Sequence, residues 1–323
     1  MFVFQKREGL KTRTGLLEIP KTFVYVVLFF VLTVLPAACS KPAPDAGGAA
    51  GAVIQPGSAA LPAKELPELD EAIARLSSSG GTAGKVGGGD ANLLTAVLTR
   101  ADLPPELVIK LEAKAAESPA FVLDLLGCLE GDPFLRRLVD KNHALPAAYE
   151  PDDLVELKAG GSYSVSRKGM LLRRAAADSL EEMAAAAKPQ GVSLVVSSAY
   201  RSCDYQAEVY SRIVKEMGQA AADRESARPG RSQHQTGLAA DFGSIDDSFA
   251  GTAAGRWMAA NAGRFGWSLS FPDGYEDVTG YRWESWHYRY VGRDLAAFIE
   301  NYFGGIQQYA LQFIHAWEAE SGE

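Results

Sequence analysis

The sequence predicts an α+β fold in which a small central, mainly antiparallel sheet is flanked by helices. Two observations lead to this prediction. Segments with the helical spacing of apolar residues are interspersed with short β-rich runs along residues 169–317. The β-rich runs lie too close to tight loops for repeated βαβ units, which need a crossover connection between parallel strands. We therefore expect antiparallel pairing to dominate.

The first 38 residues are predicted to be a lipoprotein-type signal peptide. A basic region that includes Lys6 and Arg7 precedes an apolar run at 23–35, which is too short to span a bilayer comfortably. Small residues then lead to Cys39, the predicted lipidation site. The alternative is plain secretory cleavage near Ala38. In both cases we expect the protein in the bacterial cell envelope outside the cytoplasm, with a lipid anchor to a membrane if Cys39 is modified.

The next segment, residues 39–64, is predicted to be a flexible tether. It is rich in Pro, Ala, Gly and Ser and has few large apolar groups, so it cannot offset the entropy lost on ordering. Helical spacing follows at 65–76 and, after a Ser/Gly-rich break, at 91–129. Residues 65–132 are therefore predicted to form a small helical region, and residues 133–323 the main domain.

Within the main domain, the apolar spacing and the β-rich runs predict alternating elements. Pro189 and Gly191 mark the end of the first helix. The predicted helices are 169–187, 205–217, 253–262, 293–303 and 306–317. The predicted strands are 192–197, 238–242, 267–271 and 287–291.

Composition and charge exclude some classes of function. The 323 residues are 47% hydrophobic and 22% charged, which is ordinary for a globular protein with a real core. The net charge is -8 and there is no long Lys/Arg run, so nucleic acid is not an expected partner. Three cysteines are too few for a disulfide scaffold, and Cys128 and Cys203 could either pair or remain buried thiols. The oligomeric state stays open.

Two short clusters, at 232–241 and 284–288, contain two of the four histidines and carry the candidate metal ligands. His234, Asp241 and His287 offer two imidazoles and a carboxylate, and three protein ligands with an open position are typical of a catalytic zinc. On one straight helix, His234 and Asp241 would lie roughly 10 Å apart along the axis. We therefore predict a loop running into a strand, with Gly237 in the turn.

Two further residues complete the predicted chemistry. Glu284 lies three residues before His287, in a predicted turn that leads into the strand. A divalent cation would acidify a bound water, and Glu284 would then take its proton so that the hydroxide attacks a carbonyl. Arg201, just after the 192–197 strand, is predicted to stabilise the negative oxygen that develops.

Each of these residues could instead have a purely structural role. A lone histidine is more often an ordinary hydrogen-bonded residue, and His143 and His315 are interpreted in that way. Asp241 could cap a turn, and Glu284 could merely pair with Arg282 or Arg289. Arg201 could be a structural ion-pair partner.

At these positions the chain resembles the VanY-type D,D-carboxypeptidases, within the LAS zinc peptidases. The resemblance runs from about residue 138 to about residue 303. The matching motifs are Ser198-Ala199-Tyr200-Arg201-Ser202 with Gln206, Ser232-x-His234-x-x-Gly237-x-Ala239-x-Asp241, and Glu284-x-x-His287-Tyr288-Arg289-Tyr290.

The resemblance implies a role for each of these residues. His234, Asp241 and His287 would hold Zn²⁺, Glu284 would be the catalytic base and acid, and Arg201 would polarise the scissile carbonyl. Ser232 and Gln206 would help to hold the substrate, and we add Tyr200 and Trp286 as predicted substrate contacts. Residues 133–323 would then be a zinc D,D-carboxypeptidase-like catalytic domain.

The sequence thus leads to a zinc peptidase that trims the stem peptides of peptidoglycan and removes a terminal D-alanine. The same zinc centre would also serve an L,D-carboxypeptidase, a D,D-dipeptidase or an L-Ala-D-Glu endopeptidase. A rival from another class is an inactive, zinc-holding wall-binding lipoprotein. The presence of both Glu284 and Arg201 argues against that rival, because a purely structural metal site needs neither.

Overall fold

Short strands between helices form the centre of the fold in the computed structural model, which describes residues 89–158 and 160–322. The predicted signal peptide, tether, lipidation site Cys39 and 65–76 helix lie outside the described residues. Those residues contain the strands β1 (Leu154–Glu156), β2 (Ser164–Val165), β3 (Leu171–Arg173), β4 (Val195–Ser198), β5 (Ala239–Phe242), β6 (Trp267–Leu269) and β7 (His287–Tyr290).

Five of these strands form one sheet in the order β2-β4-β5-β7-β6. Strands β2 and β4 are parallel, and the other three pairs are antiparallel. Strands β1 and β3 form a separate antiparallel pair. The predicted α+β class with a small, mainly antiparallel sheet is confirmed.

Helices precede, connect and follow the strands. None of the helices in the described part of the chain is long and apolar enough to cross a membrane. They are α1 (Gly89–Arg100), α2 (Pro105–Glu117), α3 (Pro119–Glu130), α4 (Arg174–Ala187), α5 (Cys203–Met217), α6 (Gln219–Glu225), α7 (Ala253–Asn261), α8 (Glu276–Thr279), α9 (Arg293–Phe303) and α10 (Gln307–Ser321).

The first hydrophobic core packs α4 against the main sheet. Leu180 and Met183 on α4 and Phe242 on β5 are completely buried in it. All four residues of β5 are buried, because this strand is paired on both edges and covered on both faces. A strand in this position can carry a polar side chain only if that side chain finds partners, which makes Asp241 a residue to explain.

A second hydrophobic core joins the N-terminal helices to the C-terminal helices. Phe121 of α3 contacts Phe298 and Tyr302 of α9 and Phe313 of α10, with ring centroids 4.9 to 6.1 Å apart. The helical spacing predicted over 91–129 is thus present as α1, α2 and α3. The domain boundary at residues 132 and 133 stays a prediction.

One predicted helix starts too early. The 169–187 pattern predicts a helix from residue 169, whereas α4 begins at Arg174 and Leu171–Arg173 forms β3. Leu172 is completely buried, as the helical pattern requires, but it pairs with Val155 of β1. A single apolar residue satisfies either period, so the tertiary pairing decides its conformation. The remaining predicted elements of residues 192–317 are present, with ends that differ by a few residues.

The two cysteines of the main fold are thiols and do not pair. Cys128 and Cys203 are both free and buried. Burial is the largest of the effects that raise the pKa of Cys128, to about 12, so this thiol behaves as a small apolar group.

Candidate active site

Two neighbouring strands bring Asp241 and His287 together. Asp241 of β5 lies directly opposite His287 of β7 in the antiparallel register. Directly opposed residues have closely spaced Cβ atoms, and the Asp241 Oδ1 atom lies 3.0 Å from His287 Nδ1. The candidate ligand atoms of His234, Asp241 and His287 all lie within 4.8 Å of one another, and all three side chains are buried. The sheet register therefore brings together two of the three candidate metal ligands.

A tight turn delivers the third member, His234. It lies in the 3₁₀ turn Gln233–Thr236, and its backbone amide donates to the hydroxyl of the capping residue Ser232. Gly237 follows with a φ of +69°, and a Cβ there would lie 2.9 Å from a side-chain carbon of Leu154. The predicted loop, glycine turn and strand are confirmed. Because the turn is so short, His234 and Asp241 meet although they are seven positions apart in the sequence.

The hydrogen bonds of His234 fix its tautomer. Its Nδ1 lies 2.7 Å from the carbonyl oxygen of Ala199, which only accepts, so Nδ1 carries the proton. Its Nε2 is buried, has no hydrogen-bond partner, and lies 3.2 Å from Asp241 Oδ2. An imidazole lone pair left without a donor beside a carboxylate is what a cation-binding site requires.

The charge state of the cluster agrees with this geometry. Burial, followed by the nearby Arg201, lowers the pKa of His234 to about 4, so the imidazole is neutral. Two imidazoles and one carboxylate form a donor set that fits a divalent cation with an open position.

Glu284 lies beside this cluster in the loop that leads into β7. Its amide donates to the Phe271 carbonyl, and its carbonyl accepts from the His287 amide. Its Oε2 lies 3.6 Å from His287 Nδ1. Burial, followed by the charge of Asp241, raises the pKa of Glu284 well above its usual value, while Arg201 opposes the shift. This carboxyl group therefore holds a proton more tightly than an exposed glutamate.

The two arginines that the sequence offered as ion-pair partners for Glu284 are engaged elsewhere. Arg282 pairs with Asp247 at 2.5 Å and with Glu225 at 3.4 Å. Arg289 is completely buried and donates to three backbone carbonyls, at residues 134, 135 and 137. The interpretation in which Glu284 only pairs with one of these arginines is wrong for the described residues. The interpretation in which Asp241 caps a turn is wrong too, since Asp241 lies within β5.

Arg201 approaches the cluster from the loop after β4. Its backbone amide donates to the His234 carbonyl, and its Nη1 donates to Gln206 Oε1 at 2.9 Å. Its Nη2 lies 3.9 Å from Asp241 Oδ2, too long for a direct hydrogen bond. Burial lowers the pKa of Arg201 against the opposing charges of Asp241 and Glu284, and its Nε has no hydrogen-bond partner. The guanidinium thus keeps donors free beside the ligand cluster.

The cluster opens into a cleft of about 380 Å³. The cleft contains the three candidate ligands, Glu284 and Arg201. The other lining residues that matter below are Arg167, Arg212, Arg231, Ser232, Gln233, Phe271 and Trp286.

The predicted substrate contacts differ in their surroundings. Ser232 and Trp286 line the cleft. Gln206 also borders it, but the residue is completely buried and its amide is bonded to Arg201 and to the Ala227 carbonyl. Tyr200 is not among the cleft-lining residues. The structure therefore places Gln206 as a support for Arg201 and places Tyr200 apart from the cleft.

The sequence reasoning missed three residues at this site. Gln233 is the unspecified position between Ser232 and His234, and it contacts His287 Nε2 at 3.3 Å. The Phe271 ring contacts the His287 ring in a tilted arrangement, with centroids 4.8 Å apart. Arg167 reaches the cleft from the loop after β2. Only Gln233 carried a signal, its place inside a ligand motif.

Comparison with known proteins identifies the family. A family model described as VanY, D-alanyl-D-alanine carboxypeptidase, matches residues 169–293. YodJ of Bacillus subtilis (strain 168), which carries a provisional carboxypeptidase name, is 36% identical over 193 residues, spanning 58% of this chain and 71% of YodJ. This chain belongs to the VanY family. The resemblance stated from the sequence motifs is confirmed.

Other VanY relatives match about half of this chain. The D-alanyl-D-alanine carboxypeptidase of Enterococcus faecalis is 32% identical over 171 residues, which span 50% of this chain and 60% of that protein. The bifunctional D-Ala-D-Ala dipeptidase and carboxypeptidase VanXYC of Enterococcus gallinarum is 29% identical over 57% of this chain and 95% of its own. A solved mutant of the D,D-pentapeptidase VanY with Zn(II) is 31% identical over 55% of this chain and 99% of its own, with a TM-score of 0.47.

Proposed function

We propose that this protein is a zinc-dependent peptidase that trims the stem peptides of peptidoglycan and releases the terminal D-alanine from a D-Ala-D-Ala end. One observation carries the proposal. Three buried ligand side chains, an acid with a raised pKa and a guanidinium with free donors face one cleft. The names of the sequence relatives supply the substrate class.

Zinc fits the donor set better than a hard cation does. His234 and His287 offer nitrogen ligands and Asp241 one carboxylate, and imidazole ligands suit zinc whereas magnesium and calcium prefer oxygen. When bound there, zinc would act as a Lewis acid and lower the pKa of a coordinated water. The chain's own residues account for the remaining steps.

Glu284 serves as the proton carrier of the reaction. As a general base it takes a proton from the attacking water, and as a general acid it passes that proton to the amine of the departing D-alanine. The burial that raises the pKa of Glu284 suits both roles, because a carboxyl group with a pKa nearer neutrality both accepts and returns a proton. Its position 3.6 Å from His287 Nδ1 keeps it beside the reacting atoms.

Arg201 stabilises the charge that develops on the carbonyl oxygen of the cleaved bond. Its guanidinium is fixed on one side by Gln206 Oε1, while its Nε has no partner. A donor that is already oriented need not reorganise when the charge appears, which is the basis of oxyanion stabilisation. Gln206 contributes to this step by orienting Arg201.

Further cations in the cleft favour a substrate that carries carboxylates. Arg167 and Arg212 line the cleft, and neither forms an ion pair with another described residue. Arg231 also lines it and donates to the Lys141 carbonyl. A stem peptide with a free terminal carboxylate offers the opposite charge. Ser232 and Trp286 are the neighbouring wall residues that would contact the peptide.

The test is the product profile of the purified full chain, kept in detergent and supplied with zinc. We expect release of D-alanine from muropeptides that end in D-Ala-D-Ala, measured by mass spectrometry. Loss of activity in a chelator and its recovery with zinc are part of the expected result. Intact muropeptides would overturn the proposal in favour of a wall-binding protein, and release of the D-Ala-D-Ala dipeptide would favour a dipeptidase, the second activity in the name of VanXYC.

We also propose that the protein acts outside the cytoplasm, anchored to a membrane through lipid on Cys39. The support is the basic and apolar N-terminal segment that ends in small residues before this cysteine. Incorporation of a fatty-acid probe into the wild type and not into Cys39→Ala is the expected result. Labelling that persists in Cys39→Ala would contradict the proposal that Cys39 carries the lipid.

A further inference from the structure

A run of buried polar side chains contacts His287 on the nitrogen that faces away from Asp241. His287 Nε2 lies 3.3 Å from Gln233 Oε1, and the same oxygen accepts from the Ser270 hydroxyl at 2.7 Å. Gln233 Nε2 in turn donates to Gln307 Oε1 at 3.3 Å. The three polar side chains are at most 5% exposed, so they satisfy one another without bulk water.

The direction of every bond in this run is set by one backbone atom. Gln307 Nε2 lies 3.2 Å from the carbonyl oxygen of Ser268 in β6. A backbone carbonyl only accepts, so the amino group of Gln307 must face it and the Gln307 oxygen must face Gln233. That orientation requires the amino group of Gln233 to point to Gln307. The oxygen of Gln233 is then left to face His287.

An oxygen facing His287 Nε2 decides which ring nitrogen carries the proton. The Gln233 oxygen only accepts, and it already receives the Ser270 proton, so Nε2 must be the N–H of the imidazole. The lone pair is then on Nδ1, the atom 3.0 Å from Asp241 Oδ1. If Gln233 were reversed, its amino group would compel the opposite tautomer and place a proton where a cation has to bind.

We propose that Gln307 and Gln233 are positioning residues that hold His287 in the tautomer that can bind a metal through Nδ1. The Ser268 carbonyl fixes the orientation of the Gln307 amide, and the Gln307 amide in turn fixes that of the Gln233 amide. Gln307 lies at the start of α10, beyond the residues 169–293 that match the family model. Donors and acceptors that orient an imidazole ligand are worth roughly 10- to 100-fold in metal affinity. The inference rests on the metal site of the proposed function and not on which peptide bond is cut.

The test measures metal affinity directly. The purified full chain in detergent is freed of metal and titrated with Zn²⁺ in competition with a chromophoric chelator, and Co²⁺ spectra report the coordination. We expect Gln307→Met to weaken Zn²⁺ affinity by about 10-fold or more and to change the Co²⁺ spectrum. Gln233→Met, which removes the acceptor itself, is expected to weaken it at least as much.

A neighbouring glutamine provides the matched control. Gln308 lies on the same helix, is buried, and donates to Asp140, away from the ligand cluster. Gln308→Met therefore removes a buried amide of equal size and is expected to leave Zn²⁺ affinity within about 2-fold of the wild type. Equal losses in Gln307→Met and Gln308→Met would mean a general packing effect and would overturn the proposal.

A rescue separates orientation from packing. In Gln233→Glu both side-chain oxygens accept, so an acceptor faces His287 whichever way the group turns. Gln307→Met should then lose most of its effect when combined with Gln233→Glu, a non-additive result. If Gln307→Met weakens Zn²⁺ affinity as much in the double variant as it does alone, the proposed coupling between the two amide orientations would be overturned. A wild-type protein that binds no Zn²⁺ would instead remove the proposed function, whereas unchanged affinity in Gln307→Met would remove only this inference.

Discussion

The four histidines of the chain form two pairs that look alike and differ in what surrounds them. The rings of His234 and His287 are 4.8 Å apart, and those of His143 and His315 are 5.0 Å apart. Each pair has an aspartate within 3.0 Å of a ring nitrogen: Asp241 in the first and Asp140 in the second. Residue types and ring spacing therefore do not distinguish the two.

The difference lies in how the two carboxylates are occupied. Asp140 Oδ1 accepts from the backbone amides of Asn142 and His143 and from the His143 ring, and its Oδ2 accepts from Gln308. Asp241 faces only the two imidazoles, one on each oxygen, with Arg201 farther away. A carboxylate saturated by N–H donors anchors a loop, whereas one flanked by lone pairs needs a cation.

The largest expected effect is the loss of a ligand. His234→Ala should abolish D-alanine release and lower Zn²⁺ affinity by more than about 100-fold, because a ligand matters more than the groups that orient it. His143→Ala, the matched change in the second pair, should leave both unchanged. Chelator competition and product analysis measure the two variants side by side. Equal effects in both would erase the distinction between the pairs.

Removal of the proton carrier should be the next largest effect. Glu284→Gln keeps the shape of the side chain and all three ligands, so zinc content should be unchanged. The kcat for D-alanine release should fall by roughly 10²- to 10⁴-fold, the usual value of general acid–base catalysis. Asp140→Asn is the control, and its kcat should match the wild type. A Glu284→Gln variant with wild-type kcat would remove this residue from the mechanism.

Replacement of the fixed guanidinium should have a smaller effect. Arg201→Lys preserves the charge but not the planar fork of donors held by Gln206. We expect kcat to fall by about 10²-fold with little change in KM, since the interaction is needed in the transition state. Arg100→Lys, beside the His143 and His315 cavity, should show no change. A rise in KM alone for Arg201→Lys would assign it to substrate binding.

The smallest effect concerns stability, and the carboxyl groups of the two regions should respond to pH in opposite directions. The pKa of Glu284 is raised in the folded state. In metal-free protein the stability that this carboxyl group contributes is therefore fully present below about pH 4.3 and is lost as the pH rises. Glu284→Gln should therefore raise the Tm of metal-free protein, and the gain should grow toward neutral pH.

The Asp140 carboxyl provides the opposite case. Burial opposes the ionisation of Asp140, but hydrogen bonds from Asn142, Gln308 and His143 lower its pKa. The stability that this carboxylate contributes is therefore fully present above its usual pKa and is lost in acid. At neutral pH, Asp140→Asn should lower the free energy of unfolding by about 1 to 3 kcal/mol and lower the Tm accordingly. In acid the loss should be smaller. Thermal scans from pH 3 to pH 8 in chelator would measure both variants. Matching trends in the two would contradict the assigned environments.

The sequence predicted the ligand cluster because the ligand residue types and the turn between His234 and Asp241 are local features, whereas the pairing of Asp241 with His287 is a tertiary register. His234 and Asp241 had to lie on a turn and a strand, and Gly237 supplied the turn. The β3 strand was missed, because Leu172 fits a helical pattern as well as a paired strand. The contact of Gln307 with Gln233 was not predictable either, since it joins residues 74 positions apart through a tertiary contact that leaves no periodic signal.

The most direct test of the account is anomalous diffraction at the zinc absorption edge, from crystals grown with one equivalent of zinc. We predict a single peak at about 2 Å from His234 Nε2, His287 Nδ1 and an Asp241 oxygen, with none between His143 and His315. A zinc peak at the second histidine pair, or none beside Asp241, would contradict it.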